Sequence, residues 1–99
     1  MDVITSIITV NFHQPDVTIE LLKSIAKSYS PKEVEVIVVD NGAVEDLAHV
    51  FHQYFSNIKY IRSEQNLGFA GGNNLGIAHA IGEYIFLLNN DTEIPKGCI

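Results

Sequence analysis

The chain has 99 residues, of which 46% are hydrophobic, and it carries a formal net charge of -6 and a single cysteine. The hydrophobic content supports a folded core, and the length suits one small domain or half of a larger one. The negative charge disfavours nucleic acid as a partner, because nucleic-acid binding draws on lysine and arginine. The lone Cys98 excludes an internal disulfide. With no apolar stretch near the ~20 residues of a membrane span and no basic N-terminal region, we predict a cytoplasmic location.

Apolar runs typical of strands alternate along the chain with helical patterns. Strands separated by helices favour a parallel sheet with right-handed crossovers. We therefore predict an α/β fold, a mostly parallel sheet in the order 3-2-1-4 with flanking helices. The predicted strands are 3–11, 33–40, 58–62 and 83–88, and the predicted helices are 15–29, 44–55 and about 73–81.

In this strand order the winding reverses between strands 1 and 4, which opens a crevice at the carboxyl edge of the sheet. Ligands of open α/β sheets bind in such a crevice. Polar residues stand at the end of each strand, so the sequence predicts a ligand site at this edge. They lie in the segments 11–13, 40–42, 63–66 and 89–91.

The last predicted strand, an apolar run over 84–88, leads directly into Asn89, Asn90 and Asp91. A carboxylate at this position suits Mg²⁺ or Mn²⁺ when substrate phosphates supply the remaining oxygens, and Asn89 can add an amide oxygen. The alternative is an Asx turn. The position after a strand expected to be buried on both faces favours the metal site.

A glycine-rich segment, 66–76, separates the third strand from the third helix. Gly72 would let the backbone approach a ligand closely, and Asn73 or Asn74 could cap a helix whose free N–H groups favour phosphate. The alternative is a tight turn that binds nothing. The spacing of the glycines is not that of a dinucleotide-binding fingerprint.

Two further residues at the predicted edge suit a nucleoside. Asp40 could accept a hydrogen bond from a base N–H or a ribose hydroxyl, and Phe12 could stack against a base. Each has an alternative reading, because Asp-Asn-Gly is also a strong turn sequence and Phe is commonly a core residue. The four histidines show no shared metal-binding spacing.

Taken together, four segments resemble the family 2 glycosyltransferases, which have the GT-A fold. They are 7–12, 38–42, 66–76 and 87–92, and the last two are most similar to the bacterial rhamnosyltransferase-like branch. The resemblance implies that residues 1–99 form the N-terminal, nucleotide-sugar-binding part of a GT-A domain, without its acceptor half. It implies inverting transfer from a UDP- or dTDP-sugar to a hydroxyl of a glycan or lipid-linked acceptor. The general base would lie beyond Ile99, so we expect no catalytic residue in this chain.

The resemblance also implies a set of site residues, with the base near the end of strand 1 and the metal near the end of strand 4. Asn73 stands where many members have an arginine, Asn89 replaces the first aspartate of the metal motif, and His13 replaces a frequent asparagine. The implied nucleotide-binding residues are Val10, Asn11, Phe12, Asp40, Asn66, Gly72, Asn73, Asn89 and Asn90, and the implied metal ligand is Asp91.

Two other functions fit the fold less well. A sugar-nucleotide pyrophosphorylase wants a glycine-rich phosphate loop after strand 1, and residues 11–15 contain no glycine. A non-catalytic signalling module of the receiver type needs an acid at the end of strand 3, where Glu64 is a poor substitute.

Strand 4 would form an open sheet edge. An apolar edge invites pairing with another chain, so we expect residues 1–99 to self-associate. Attachment of a full-length protein to the inner face of the membrane would depend on later segments.

Overall fold

The computed structural model describes residues 5–43 and 45–89. The four strands form one parallel sheet in the order β3-β2-β1-β4, which confirms the predicted α/β fold and strand order. The elements are β1 (Thr5–Asn11), α1 (Pro15–Ser28), β2 (Val34–Asn41), α2 (Ala48–His52), β3 (Ile58–Ser63), α3 (Gly68–Ala78) and β4 (Tyr84–Asn89). No helix in the described part of the chain is long and apolar enough to cross a bilayer.

The two central strands bury both of their faces. Ile7 of β1 lies beside Val36 of β2, and both belong to the larger core, which α1 and α2 cover. The next pair, Ile8 and Ile37, belongs to a smaller core on the opposite face, against which Leu75 of α3 packs. Successive side chains of a strand point to opposite faces, so parity along each strand decides on which side of the sheet a residue lies.

Helix α1 follows the apolar spacing of its sequence. It begins at Pro15, whose missing N–H costs nothing in the first turn of a helix. Leu21, Leu22 and Ile25 are fully buried against the sheet. Burying each such side chain contributes about 1.5–3 kcal/mol, so this face holds α1 on the sheet.

Helix α3 begins at Gly68, not near Asn73 as predicted. The glycine-rich segment is therefore mainly helix, and Asn73 is a buried mid-helix residue rather than a cap. The glycines serve the close packing of α3 against β1. A Cβ on Gly72 would lie 2.9 Å from Val10 Cγ2, and one on Gly76 would lie 2.5 Å from Ile8 Cγ2. Glycine costs about 1 kcal/mol in a helix relative to alanine, and here it permits contact that a larger residue would block.

Helix α2 is shorter than predicted, because only Ala48–His52 is helical. Phe51 is fully buried, and Leu47 and Tyr54 pack partly on the same core. A helix therefore forms in the predicted region, although the predicted bounds 44–55 are too wide.

Strand β4 differs from its prediction in burial. Its apolar run indicated a strand covered on both faces, but Tyr84 is 64% exposed, and Ile85 and Leu87 are each 46% exposed. The reason is position, since β4 pairs only with β1 among the described strands and α3 packs on β1 and β2. An apolar strand sequence thus indicates that a strand forms, but not that it lies inside the sheet.

Candidate nucleotide site

The carboxyl edge of the sheet carries two clefts, one on each face. Asn11 and Asp40 are register partners on the α1 and α2 side, and Val10 and Asn41 belong to the α3 side. Two adjacent residues at the end of a strand therefore lie on different clefts. Six of the predicted site residues divide between the two clefts.

The larger cleft has a volume of about 340 Å³ and lies on the α3 side. Phe12 is 47% exposed and Phe69 is 59% exposed, so two aromatic side chains on this cleft are open to a ligand. Exposed aromatic faces suit stacking of a base. The cleft is lined by Val10, Phe12, Gln14, Asn41, Asn66, Gly68, Phe69 and Asn89. Four of the predicted nucleotide-binding residues are thus brought together.

The Phe12 ring packs closely against Gly42. Gly42 has φ 68°, a left-handed conformation that glycine adopts readily. A Cβ at this residue would lie 3.1 Å from Cε1 of the Phe12 ring. The turn after β2 therefore contacts the Phe12 ring. In the Asp-Asn-Gly turn, Gly42 is the residue that makes this contact.

Asn41, which the sequence reading did not select, joins the end of β2 to the start of α3. It is 2% exposed, and its Oδ1 accepts a hydrogen bond from the Leu67 N–H at 2.8 Å. Its Nδ2 donates to Asn66 Oδ1 at 3.0 Å and to the Gly68 carbonyl at 3.1 Å. Strand parity was the available signal, because Asn41 lies on the same face as Val10. Asn41 therefore orients Asn66 and fixes one wall of the larger cleft.

The smaller cleft, of about 190 Å³, lies on the other face and contains Asp40 and Asn11. Asp40 is 2% exposed. Its Oδ1 accepts a hydrogen bond from Asn11 Nδ2 at 2.9 Å, and its Oδ2 accepts one from the Tyr60 hydroxyl at 2.5 Å. The structure therefore does not bring Asp40 into the cleft that Phe12 lines. Each of its two carboxylate oxygens accepts one hydrogen bond from a protein donor.

Gly72 and Asn73 are buried within α3 and are not among the residues that line either cleft. Gly72 lies against Val10. The Oδ1 atom of Asn73 has no hydrogen-bond partner among the described residues, although the side chain is only 5% exposed. A buried amide oxygen without a partner is an available acceptor. The predicted ligand contacts of both residues stay predictions.

Comparison with known proteins decides the family. The sequence profile described as Glycosyl transferase family 2 matches residues 6–99. The chain belongs to glycosyl transferase family 2. An uncharacterized glycosyltransferase of Rickettsia conorii is 32% identical over 88 residues, which are 87% of this chain and 14% of that protein. The hyaluronan synthase of Pasteurella multocida is 33% identical over 90 residues, 87% of this chain and 9% of the synthase. The chain thus spans only a small part of these relatives.

Solved structures agree with this family assignment. TarS of S. aureus, residues 1–349, superimposes with a TM-score of 0.82 at 29% identity, over 94% of this chain and 29% of that one. This match confirms the GT-A fold expected for a family 2 glycosyltransferase. TarS has also been solved in complex with UDP and with UDP-GlcNAc, and both complexes match this chain.

The metal ligand predicted for this family 2 chain, Asp91, lies outside the described residues, as does Asn90. Asn89, at the end of β4, is exposed and lines the larger cleft. Within residues 5–43 and 45–89, no group of three His, Cys, Asp or Glu side chains is placed to hold a metal ion. The described residues that line the larger cleft are all uncharged.

Proposed function

We propose that this chain binds the nucleotide part of a nucleotide-diphosphate sugar, within an enzyme that transfers the sugar to an acceptor hydroxyl with inversion. The observation that carries the proposal is the larger cleft, which holds two exposed aromatic side chains at the carboxyl edge of a GT-A sheet. The acceptor would be a glycan or a lipid-linked glycan on the cytoplasmic side, in polysaccharide synthesis. We assign the acceptor pocket, and the general base that deprotonates the hydroxyl, to sequence outside these 99 residues.

The donor is proposed to be a UDP- or dTDP-sugar. UDP is supported by the TarS complexes with UDP and UDP-GlcNAc. A dTDP-sugar stays in the proposal because thymine and uracil share an N–H between two carbonyls, and because the sequence resembles the rhamnosyltransferase-like branch. Competition between UDP and dTDP for the same chain would rank the two bases.

We place the base in the larger cleft, against Phe12. The Asn41 amide oxygen accepts one hydrogen bond, from Leu67, and an amide oxygen has a second lone pair for the ring N–H. The second candidate acceptor is Asp40, as the sequence predicted, in the smaller cleft. The larger cleft is favoured because it holds the exposed Phe12 ring, whereas Asp40 lies in the cleft on the opposite face of the sheet.

Replacing the aromatic wall tests this position of the base. Because stacking of a base on an aromatic side chain is worth about 1–3 kcal/mol, we expect Phe12→Ala to weaken UDP binding roughly tenfold. Isothermal titration with UDP and Mn²⁺ measures this change. Tyr84→Ala is the matched control, since it removes an aromatic side chain that is 64% exposed and lines neither cleft.

Asp40→Asn separates the two candidate acceptors. If Asp40 accepts the ring N–H, losing the charge-assisted bond costs about 1.5–3 kcal/mol, so UDP binding weakens about tenfold or more. In that case Phe12→Ala would leave affinity unchanged. A loss of affinity in Phe12→Ala supports the larger cleft, whatever the effect of Asp40→Asn. UDP binding that neither substitution alters would contradict both positions.

The exposed β4 edge supports a further proposal, that two copies of this chain pair through it. Tyr84, Ile85 and Leu87 are each at least 46% exposed, and an unpaired apolar strand is a template for another. We expect species larger than a monomer by light scattering, and Ile85→Lys should shift them toward monomer. Leu67→Lys is the control, because it adds the same charge at another apolar position, 41% exposed. A wild-type chain that stays monomeric would contradict the proposal.

A further inference from the structure

Tyr60, in β3, lies at one end of a series of hydrogen bonds that crosses the strands at the smaller cleft, which two of its members, Asn11 and Asp40, line. Its hydroxyl donates to Asp40 Oδ2 at 2.5 Å, and Asn11 Nδ2 donates to Asp40 Oδ1 at 2.9 Å. Thr18 Oγ1 of α1 then donates to Asn11 Oδ1 at 2.7 Å. Four side chains from α1, β1, β2 and β3 are thus connected through the Asp40 carboxylate.

The Tyr60 hydroxyl has a second role. It accepts a hydrogen bond from the Leu47 N–H at 3.1 Å, in the segment that leads from β2 into α2. A phenol has one proton and can also accept, so donation to Asp40 and acceptance from Leu47 are compatible. Burial, and then the hydrogen bond to Asp40, raise the pKa of Tyr60 far above its usual value, so the hydroxyl keeps its proton at physiological pH.

Two residues in this series of hydrogen bonds are immediate neighbours of the proposed base contacts. Asn11 precedes Phe12, and Asp40 precedes Asn41. The strand ends that carry Phe12 and Asn41 are therefore tied to each other from the opposite face of the sheet. The Leu47 hydrogen bond holds the residue that immediately precedes α2.

We infer that Tyr60 is a positioning residue of the nucleotide site, which holds the ends of β1 and β2 in place through the Asp40 carboxylate. This inference rests on the proposed function, because it assigns Tyr60 an effect on nucleotide affinity. It does not require Tyr60 to touch the ligand. Both candidate base acceptors, Asn41 and Asp40, depend on the same arrangement.

Tyr60→Phe tests the inference, because it removes the hydroxyl and keeps the ring, which lies 5.9 Å from the Phe51 ring. We expect UDP in the presence of Mn²⁺ to bind roughly tenfold more weakly, the effect of losing one hydrogen bond to a charged group. Hydrogen exchange at the Leu47 amide should accelerate in the same variant. Tyr54→Phe is the matched control and should leave the UDP affinity and the Leu47 exchange unchanged.

A double-mutant cycle with Asp40→Asn adds a readout that general destabilisation would not produce. If Tyr60 acts through the Asp40 carboxylate, Tyr60→Phe should cost clearly less affinity in the Asp40→Asn background than in the wild type. Additive effects would overturn the inference, and so would a Tyr60→Phe chain that binds UDP within twofold of wild type. A wild-type chain that binds no UDP would instead overturn the proposed function, and this inference with it.

Discussion

Glu35→Ala should destabilise the fold by about 2–4 kcal/mol, because it leaves two hydrogen-bond donors without their acceptor, at about 1–3 kcal/mol each. Loss of the ion pair adds little, since Lys59 keeps 40% of its side chain exposed to water. Glu35 is fully buried in β2. Its Oε1 accepts hydrogen bonds from Ser6 Oγ at 2.6 Å and from the Ile81 N–H at 2.8 Å. Its Oε2 makes no hydrogen bond among the described residues and has the Lys59 ammonium, at 3.2 Å, as counter-charge. The substitution would leave all three groups without their carboxylate.

The effect should extend to β4, because Glu35 anchors the turn between α3 and β4. Ser6 Oγ also accepts a hydrogen bond from the Gly82 N–H at 2.8 Å, and Lys59 donates to the His79 carbonyl at 2.9 Å. This turn leads into β4. The last residue of β4, Asn89, pairs with Val10 of β1, and both line the larger cleft. The amino end of the sheet therefore helps to place a residue of the proposed site at its carboxyl end.

Urea unfolding followed by circular dichroism measures the loss, and Glu20→Ala is the matched control. Glu20 is an exposed acid of α1, 3.6 Å from Lys23, and such surface pairs contribute about 0–1 kcal/mol. For a domain of this size each kcal/mol lowers the thermal midpoint by about 4–8 °C. A Glu35→Ala chain that unfolds at the same urea concentration as Glu20→Ala would show that the buried cluster does not stabilise the fold.

The strands could be predicted from sequence because their apolar, β-branched runs are local signals. The predicted bounds 33–40 and 83–88 lie one residue from the observed Val34–Asn41 and Tyr84–Asn89. Helix α3 was placed too late because its glycines read as loop. These glycines allow α3 to pack closely against Val10 and Ile8, which lie more than sixty residues earlier in the sequence. Local helix propensity contains no information about such a contact.

The site was predicted only in part, because some of its contacts join residues that are distant in sequence. The sequence placed the strand ends at one edge, and Val10, Phe12, Asn66 and Asn89 do line one cleft. It also grouped Asp40 with Phe12, although parity along the paired strands puts them on opposite faces. One partner of Asp40, Tyr60, lies twenty residues away in β3, and no local pattern links the two residues. Which acid is free for a ligand therefore depends on contacts that periodicity does not encode.

Asp91→Ala should abolish the metal dependence of UDP binding while the fold stays intact. The larger cleft contributes no charged side chain among its described residues, and the whole chain has a formal net charge of -6. A diphosphate bound there would face uncharged amides in a negative protein. A divalent cation relieves this repulsion, and oxygen ligands such as a carboxylate and the amide of Asn89 suit Mg²⁺ or Mn²⁺.

The measurement compares UDP affinity with Mn²⁺ and with EDTA for the wild type and for two variants. We expect Mn²⁺ to strengthen binding to the wild type and to have no effect on Asp91→Ala, whose affinity should equal that of the wild type in EDTA. Glu83→Ala is the matched control, because it also removes one negative charge but lies at the opposite end of β4. It should keep the full Mn²⁺ dependence. If Mn²⁺ strengthens UDP binding to Asp91→Ala by the same factor as to the wild type, the cation is held by other residues and the assignment of Asp91 is wrong.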